Sequence, residues 1–365
     1  MWELIFQEIK PFQTIACVNR LFRSYMKVPS PCNVKTLAAH TSLSIHFRDI
    51  CSKIKYKYFR MSLLVIGTVA FDAIETPFGK TDKIVGGAAT YAGLAASYFY
   101  DKVKIVAVVG DDFPAEEIAD FNAHKIDTEG LQIKEGEKSF FWSGKYHNDM
   151  NSRDTLVTDL NVLADFDPII PDSYQDCEYL MLGNLTPQVQ QTVIKRLKNR
   201  PKLIVMDTMN FWMDIALDDL LETIKMVDVL TINDAEARQL SGEYSLVKAA
   251  NKILAMGPKY LIIKKGEHGA LLFHEDKIFS APALPLAEVF DPTGAGDTFA
   301  GGFIGYMAKV GTVNFNNMKN AIIFGSALAS FCVEKFGTEK IKNLSDEEVA
   351  ARVQQFVQLS SFEIK

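Results

Sequence analysis

The densest chemistry in the chain lies in Asp291-Pro292-Thr293-Gly294-Ala295-Gly296-Asp297-Thr298-Phe299-Ala300-Gly301-Gly302. It reads as a loop that becomes an apolar helix, because Phe303, Ile304, Tyr306 and Met307 follow at helical spacing. Gly294 and Gly296 let the backbone close tightly. The N–H groups of Gly294, Ala295, Gly296 and Asp297 then point out of a helix start, where the dipole favours an anion. A carboxylate in an anion site needs a task there. One such task is taking the proton from a hydroxyl that attacks phosphorus. The alternative is an ordinary Gly-rich helix start with Asp297 stabilising the first turn.

Asn233-Asp234-Ala235-Glu236 is the second constellation. Asn233 and Glu236, three apart, share one face of a helical turn. Together they can hold water ligands of Mg²⁺, an ion that keeps most of its waters and needs few protein groups. The same pair is also good capping chemistry, with Asn at the N-cap and Glu at the third position.

Both constellations need elements behind them. Apolar runs recur at Leu63–Ile66, Val103–Val109, Tyr179–Leu182, Leu203–Met206, Val229–Ile232 and Tyr260–Ile263, separated by longer amphipathic segments. Such runs read as buried parallel strands, and the alternation predicts an α/β fold: a doubly wound, mostly parallel central sheet flanked by helices. Gly67, Gly110, Gly183, Asp207, Asn233 and Lys264 end the runs, at the strand edge where ligands of such folds bind. Phe140–Thr158 breaks the rhythm and alternates like exposed β-ribbon. With Gln132 and Ile133 upstream, the spacing predicts a small projecting sheet over about 132–158. Ser345 and Glu348 form a capping-box pattern before a helix with Val349, Val353, Phe356 and Val357 on one face.

The motif Asp291–Gly302 resembles the C-terminal signature of the ribokinase-like, or PfkB-type, carbohydrate kinases. The resemblance runs from residue 61 to about 340 and implies transfer of the γ-phosphoryl of ATP to a hydroxyl of a small sugar or sugar-like substrate, with Mg²⁺. It implies Asp297 as catalytic base and Gly294, Ala295 and Gly296 as anion hole. Asn233 and Glu236 match the N-x-x-E motif that organises Mg²⁺ near the nucleotide. Lys265, Gly266 and Gly269 match a strand turn whose backbone lies against the nucleotide, although a β-hairpin turn has the same composition. Asp72 matches an acceptor of substrate hydroxyls, and one carboxylate can accept from both hydroxyls of a vicinal diol. Gly86 and Gly87 match a pair that lets substrate approach backbone. Tyr91 departs from the pattern, standing where many relatives have a substrate-binding Asn. Asp291 and Thr293 match positions that bind a monovalent cation, K⁺, in some relatives. The projecting sheet matches a lid over the substrate, often used for dimerisation, with a plain surface hairpin as the alternative. Asp207-Thr208-Met209-Asn210-Phe211-Trp212 resembles a cleft-lining region, with Trp212 equally able to cap the core.

Two rival readings remain. A nucleoside kinase of the same fold is suggested by Tyr91, Phe140, Phe141 and Trp142 as stacking surfaces. A catalytically silent sugar- or nucleotide-sensing protein would have no use for Asp297. Walker A, G-x-G-x-x-G after the first run, and H-E-x-x-H are missing from the sequence, which disfavours P-loop kinases, Rossmann dehydrogenases and zinc hydrolases.

Composition bounds the rest. At 365 residues, 48% hydrophobic and a mean hydropathy of +0.04, the chain reads as an ordinary globular protein with ample core. No apolar run approaches the roughly 20 residues of a membrane span. Cys17, Cys32, Cys51, Cys177 and Cys332 are scattered, as expected of free thiols in a reducing cytoplasm. Residues 1–60 carry ten Lys/Arg against three Asp/Glu, and the remainder 29 against 42. An acidic body argues against nucleic acid as a partner. The basic leader, broken by Pro11, Pro29 and Pro31, has no secretory h-region. It is expected to lie outside the fold, with the kinase domain spanning 61–365. An added regulatory segment is the alternative.

Overall fold

Runs that are apolar on both faces are stable only between two covering layers. The computed structural model describes residues 62–363, so the expectation for 1–60 lies outside the described residues. With strands numbered in chain order, the six runs are β1 (Leu63–Ile66), β5 (Val103–Gly110), β9 (Tyr179–Leu182), β10 (Leu203–Asp207), β11 (Val229–Asn233) and β12 (Tyr260–Lys264). They join β6 (Ile126–Lys134), β13 (Ala270–His274) and β14 (Lys277–Ala281) in a nine-stranded sheet. Its order is β14-β13-β12-β11-β10-β9-β1-β5-β6. All neighbours from β12 to β6 pair parallel, and only β13 and β14 are antiparallel.

Successive strand residues face opposite layers. Leu63 and Val65 enter a core shared with α1 (Ala88–Ser97), α8 (Ala295–Val310) and α9 (Phe315–Cys332), while Leu64 and Ile66 enter a second core. That second core is closed by α3 (Pro187–Arg196), α5 (Leu217–Ile224), α6 (Asp234–Ser241) and α7 (Leu246–Leu254). Helices α2 (Ala115–Ala123), α4 (Asn210–Ile215) and α10 (Asp346–Ser360) complete the set. The expected capping box at Ser345 and Glu348 starts α10, but only Val349 and Phe356 are buried, and Val357 faces solvent. Cys177 and Cys332 are buried free thiols.

A second sheet carries β3 (Gly79–Lys80), β2 (Ala70–Thr76), β7 (Phe141–Tyr146) and β8 (Arg153–Asp159) in that order, with β4 (Ile84–Gly86) also on β2. The lid therefore exists but is built differently from the expectation. Gln132 and Ile133 belong to β6, paired with Val108 and Val109 at the edge of the main sheet. The lid draws its other half from residues 70–86. Local alternation cannot reveal this, because the partner of β7 lies about seventy residues upstream.

Candidate active site

Helix α8 begins at Gly294, whose backbone is left-handed (φ 73°) and whose missing Cβ would stand 2.5 Å from the Tyr91 ring. Both facts demand glycine. The helix is held close to α1: a Cβ at Gly301 would sit 2.2 Å from the Ala92 carbonyl oxygen. At the helix start, Thr298 N–H reaches the Gly294 carbonyl at 2.8 Å and Ala295 N–H turns back to Pro292 at 3.2 Å. Among the described residues, the amides without a carbonyl partner are thus those of Gly294, Gly296 and Asp297, the last turned to its own carboxylate, and Ala295 drops out of the expected set. Burial, then the Asp207 carboxylate, raises the Asp297 carboxyl above the usual carboxylate range, while Lys264 and Arg153 pull it down.

Three adjacent strands end beside this helix start. Lys264, closing β12, puts its ammonium 2.9 and 3.1 Å from the two oxygens of Asp207, closing β10. The same Nζ lies 3.2 Å from where a Cβ on Gly296 would be. Between them, Asn233 ends β11 and caps α6. Its side chain accepts from Glu236 N–H at 2.8 Å, and Glu236 accepts from Asn233 N–H at 2.7 Å. Burial pushes Glu236 up to about 7, with Lys264 lowering it and Asp207 raising it. Capping and a water-mediated Mg²⁺ role are compatible here, since the carboxylate has lone pairs to spare. No three His, Cys, Asp or Glu residues cluster as a direct metal cage among the described residues.

Lys265 closes the following turn, its N–H reaching the Gly269 carbonyl at 2.8 Å. The turn joins antiparallel strands, as the hairpin alternative has it, with Gly266 at φ 53° and Gly269 at φ 83°. His268 is exposed. The tip of the lid reaches this turn: Asn151 Oδ1 stands 2.8 Å from where a Cβ on Gly266 would be.

On the other side of α8, Asp72 sits on lid strand β2 with 5% exposure. Its Oδ2 lies 1.9 Å from a Cβ position on Gly86, so no larger residue fits there. Burial, then Asp291 and Asp297, push Asp72 up to about 7. Trp142 is paired with Asp72 across β2 and β7, and its ring covers Gly144. Asp291 is fully buried: Oδ1 accepts from Thr293 N–H at 2.8 Å and Oδ2 from Gly337 N–H at 2.9 Å. Thr293 Oγ1 meets the lid's Tyr146 hydroxyl at 3.2 Å. Trp212 Nε1 donates to Asn184 at 2.8 Å.

Tyr91 corrects an expectation. It is 1% exposed beneath Gly294, so it offers no face for stacking. Its hydroxyl has no partner among the described residues. Lys264, expected only as the end of a buried run, stands at the helix start, while Lys265, expected against the nucleotide, closes the turn. Adjacent residues leave a strand on opposite sides, so register decided which lysine faces the helix. The signal available was the polar residue ending a buried run.

Comparisons with known proteins give the family and the fold. A family model described as pfkB family carbohydrate kinase matches residues 61–344. The chain is 32% identical over 248 residues to a cytidine kinase of Thermococcus kodakarensis, covering 67% of this chain and 87% of that one. A solved putative ribokinase II from E. coli, in complex with ATP and Mg²⁺, has a similar fold. Its TM-score is 0.67 at 19% identity, with 81% of this chain and 99% of that one covered. Burkholderia thailandensis nucleoside kinase in complex with inosine has a TM-score of 0.65 at 18% identity, with the same coverage.

Proposed function

Because the chain belongs to the pfkB family of carbohydrate kinases, a family of phosphotransferases with alcohol acceptors, we propose how its residues divide that work. Asp297 accepts the proton of the acceptor hydroxyl as its oxygen attacks the γ-phosphorus of ATP. The amides of Gly294, Gly296 and Asp297 donate to the charge that develops on the transferred group. The nucleotide lies along the Gly266–Gly269 turn, with Lys265 at its base. Asn233 and Glu236 hold Mg²⁺ through water. When bound, the ion neutralises phosphate charge. A buried, raised Glu236 fits that duty, since a nearby cation relieves it.

Asp72 accepts from a diol on the acceptor, with Gly86 and Gly87 clearing the approach. The acceptor we favour is a nucleoside, and one observation carries that choice: Trp142 is the cross-strand partner of Asp72 on the lid sheet. Registered cross-strand partners face the same side, so a base joined to a ribose on Asp72 finds an aromatic face. The cytidine kinase relative supports the same class. A free sugar is the second reading, supported by ribokinases among the relatives. The deciding measurement is kcat/KM over cytidine, inosine, ribose and fructose. Nucleosides should lead, and Trp142→Ala should cost them roughly tenfold while leaving sugars alone. Ribose outperforming every nucleoside would reverse the assignment.

We also propose a monovalent cation, K⁺, at Asp291 and Thr293. Asp291 is buried without a cationic side chain paired to it among the described residues, and burial raises it despite two amide donors. KCl should raise the melting temperature over NaCl at equal ionic strength, and equal values would remove the site. The exposed edge strand β8, with Leu156 and Val157 at its surface, supports a homodimer through the lid. No helix among the described residues is long and apolar enough to cross a membrane, and the two buried free thiols support a cytoplasmic setting.

A further inference from the structure

Lys264 has no part in the roles above, yet its ammonium stands against the first turn of α8. It spans from the end of β12 past β11 to Asp207 at the end of β10. Its side chain is 18% exposed and that of Asp207 only 7%. A buried ion pair is a weak device for stability, because desolvating both charges offsets most of their attraction. Two apolar side chains of similar volume would hold the three strand ends together as well. What they would lack is a donor. An ammonium has three N–H groups, and Asp207 accounts for two contacts. Nζ is also 3.2 Å from the Cβ position at Gly296, so the cation abuts the very amides that have no carbonyl partner. Asp207, Glu236 and Asp297 are its charged neighbours. Three carboxyls around a seat for a polyphosphate repel the ligand unless a cation stands among them.

We propose that Lys264 is a catalytic residue that donates its remaining hydrogen bond to the phosphoryl group in flight, and that Asp207 is the positioning residue that holds its ammonium beside Gly296. This rests on the reading of the α8 start as the site of phosphoryl transfer. In the step, the acceptor oxygen forms a bond to the γ-phosphorus while the bond from that phosphorus to the ADP oxygen breaks. The acceptor's proton goes to Asp297, and ADP leaves with the electron pair. Lys264 stays protonated throughout and transfers nothing. It meets one equatorial oxygen from the strand side while the α8 amides approach from the helix side.

Lys264→Met alone strands the buried Asp207 carboxylate, so the informative protein is the double variant Asp207→Asn/Lys264→Met, which removes both charges at near-constant volume. Calorimetric titration with ATP, ADP and adenosine, and turnover with the best acceptor of the wild type, are the readouts. The double variant should melt as one cooperative unit and bind adenosine as wild type does. It should bind ATP about tenfold or more weakly, with ADP less affected, and turn over at least ~100-fold more slowly. Turnover within threefold of wild type in the folded double variant overturns the proposal. So does an equal loss for ATP, ADP and adenosine, which would mark the pair as a structural brace. If the wild type phosphorylates no sugar or nucleoside, the kinase reading fails by itself, and the three titrations still decide whether Lys264 contacts phosphate.

Discussion

Asp297 and Asp72 are both carboxyls that burial lifts above their ordinary range, but they are asked for opposite things. In the proposed reaction Asp297 takes up a proton and then releases it during turnover. Asn keeps its shape but cannot accept one, so Asp297→Asn should lower kcat by about 10²- to 10⁴-fold with ATP binding retained. Its folding should survive, since a first-turn carboxylate contributes only ~0.3–1 kcal/mol through the helix dipole. Near-normal turnover with a lowered melting temperature would instead make Asp297 a helix-start residue. In the proposed reaction Asp72 must stay ionised to accept from hydroxyls. Its folded-state value near 7 lies above the ordinary 3.8, so the neutral form favours the fold. That contribution is complete below about pH 4 and is lost as pH rises through about 7. Acceptor affinity runs the other way, strengthening over the same window by up to about tenfold per pH unit. Asp72→Asn should make the ligand-free protein steadier than wild type at about pH 8, with acceptor binding weak and flat in pH. A pH-independent acceptor Kd in the wild type would contradict this account of Asp72.

The lid acts as an element joined to both halves of the site. Tyr146 ties β7 to Thr293 in the loop before α8, and Asn151 at the hairpin tip rests against Gly266 in the turn proposed to hold the nucleotide. Arg153, two residues on, pulls down the carboxyls of Asp297 and Glu236. A lid confined to the acceptor, as the family resemblance implies, would reach none of these groups. Replacing 147–152 by a short Gly-containing turn should therefore raise KM for ATP as well as for the acceptor, each by about tenfold. A loss restricted to the acceptor would mean the tip contact with Gly266 carries no energy.

At the scale of the whole molecule, β1 is an interior strand of the sheet, flanked by β9 and β5 in parallel register. Ser62 already accepts hydrogen bonds from Glu178 and Tyr179 at 3.0 and 3.1 Å, so pairing begins one residue before the strand. The sheet covers both faces of β1 with helices from later in the chain. The strands and helices that enclose β1 all lie within the described residues. A protein beginning at Met61 should melt cooperatively, within about 2 °C of the full chain, and keep its turnover. A large fall in either would mean that residues 1–60 pack on the kinase domain.

Much of this was legible in one dimension, for a physical reason. Buried parallel strands must be continuously apolar, so all six runs could be read as strands almost to the residue. The chemistry of Asp291–Gly302 and Asn233–Glu236 is local too: a helix start needs its caps and its small residues within one turn. Tertiary structure decided what depends on partners distant in sequence. It joined β2 to β7, giving the lid a half that no periodicity announced and setting Trp142 beside Asp72. It buried Tyr91 beneath Gly294, where its side chain alone suggested a stacking face. It also chose Lys264 over Lys265, because only the register of β12 beside β11 turns one of two adjacent lysines toward Asp207 and the start of α8.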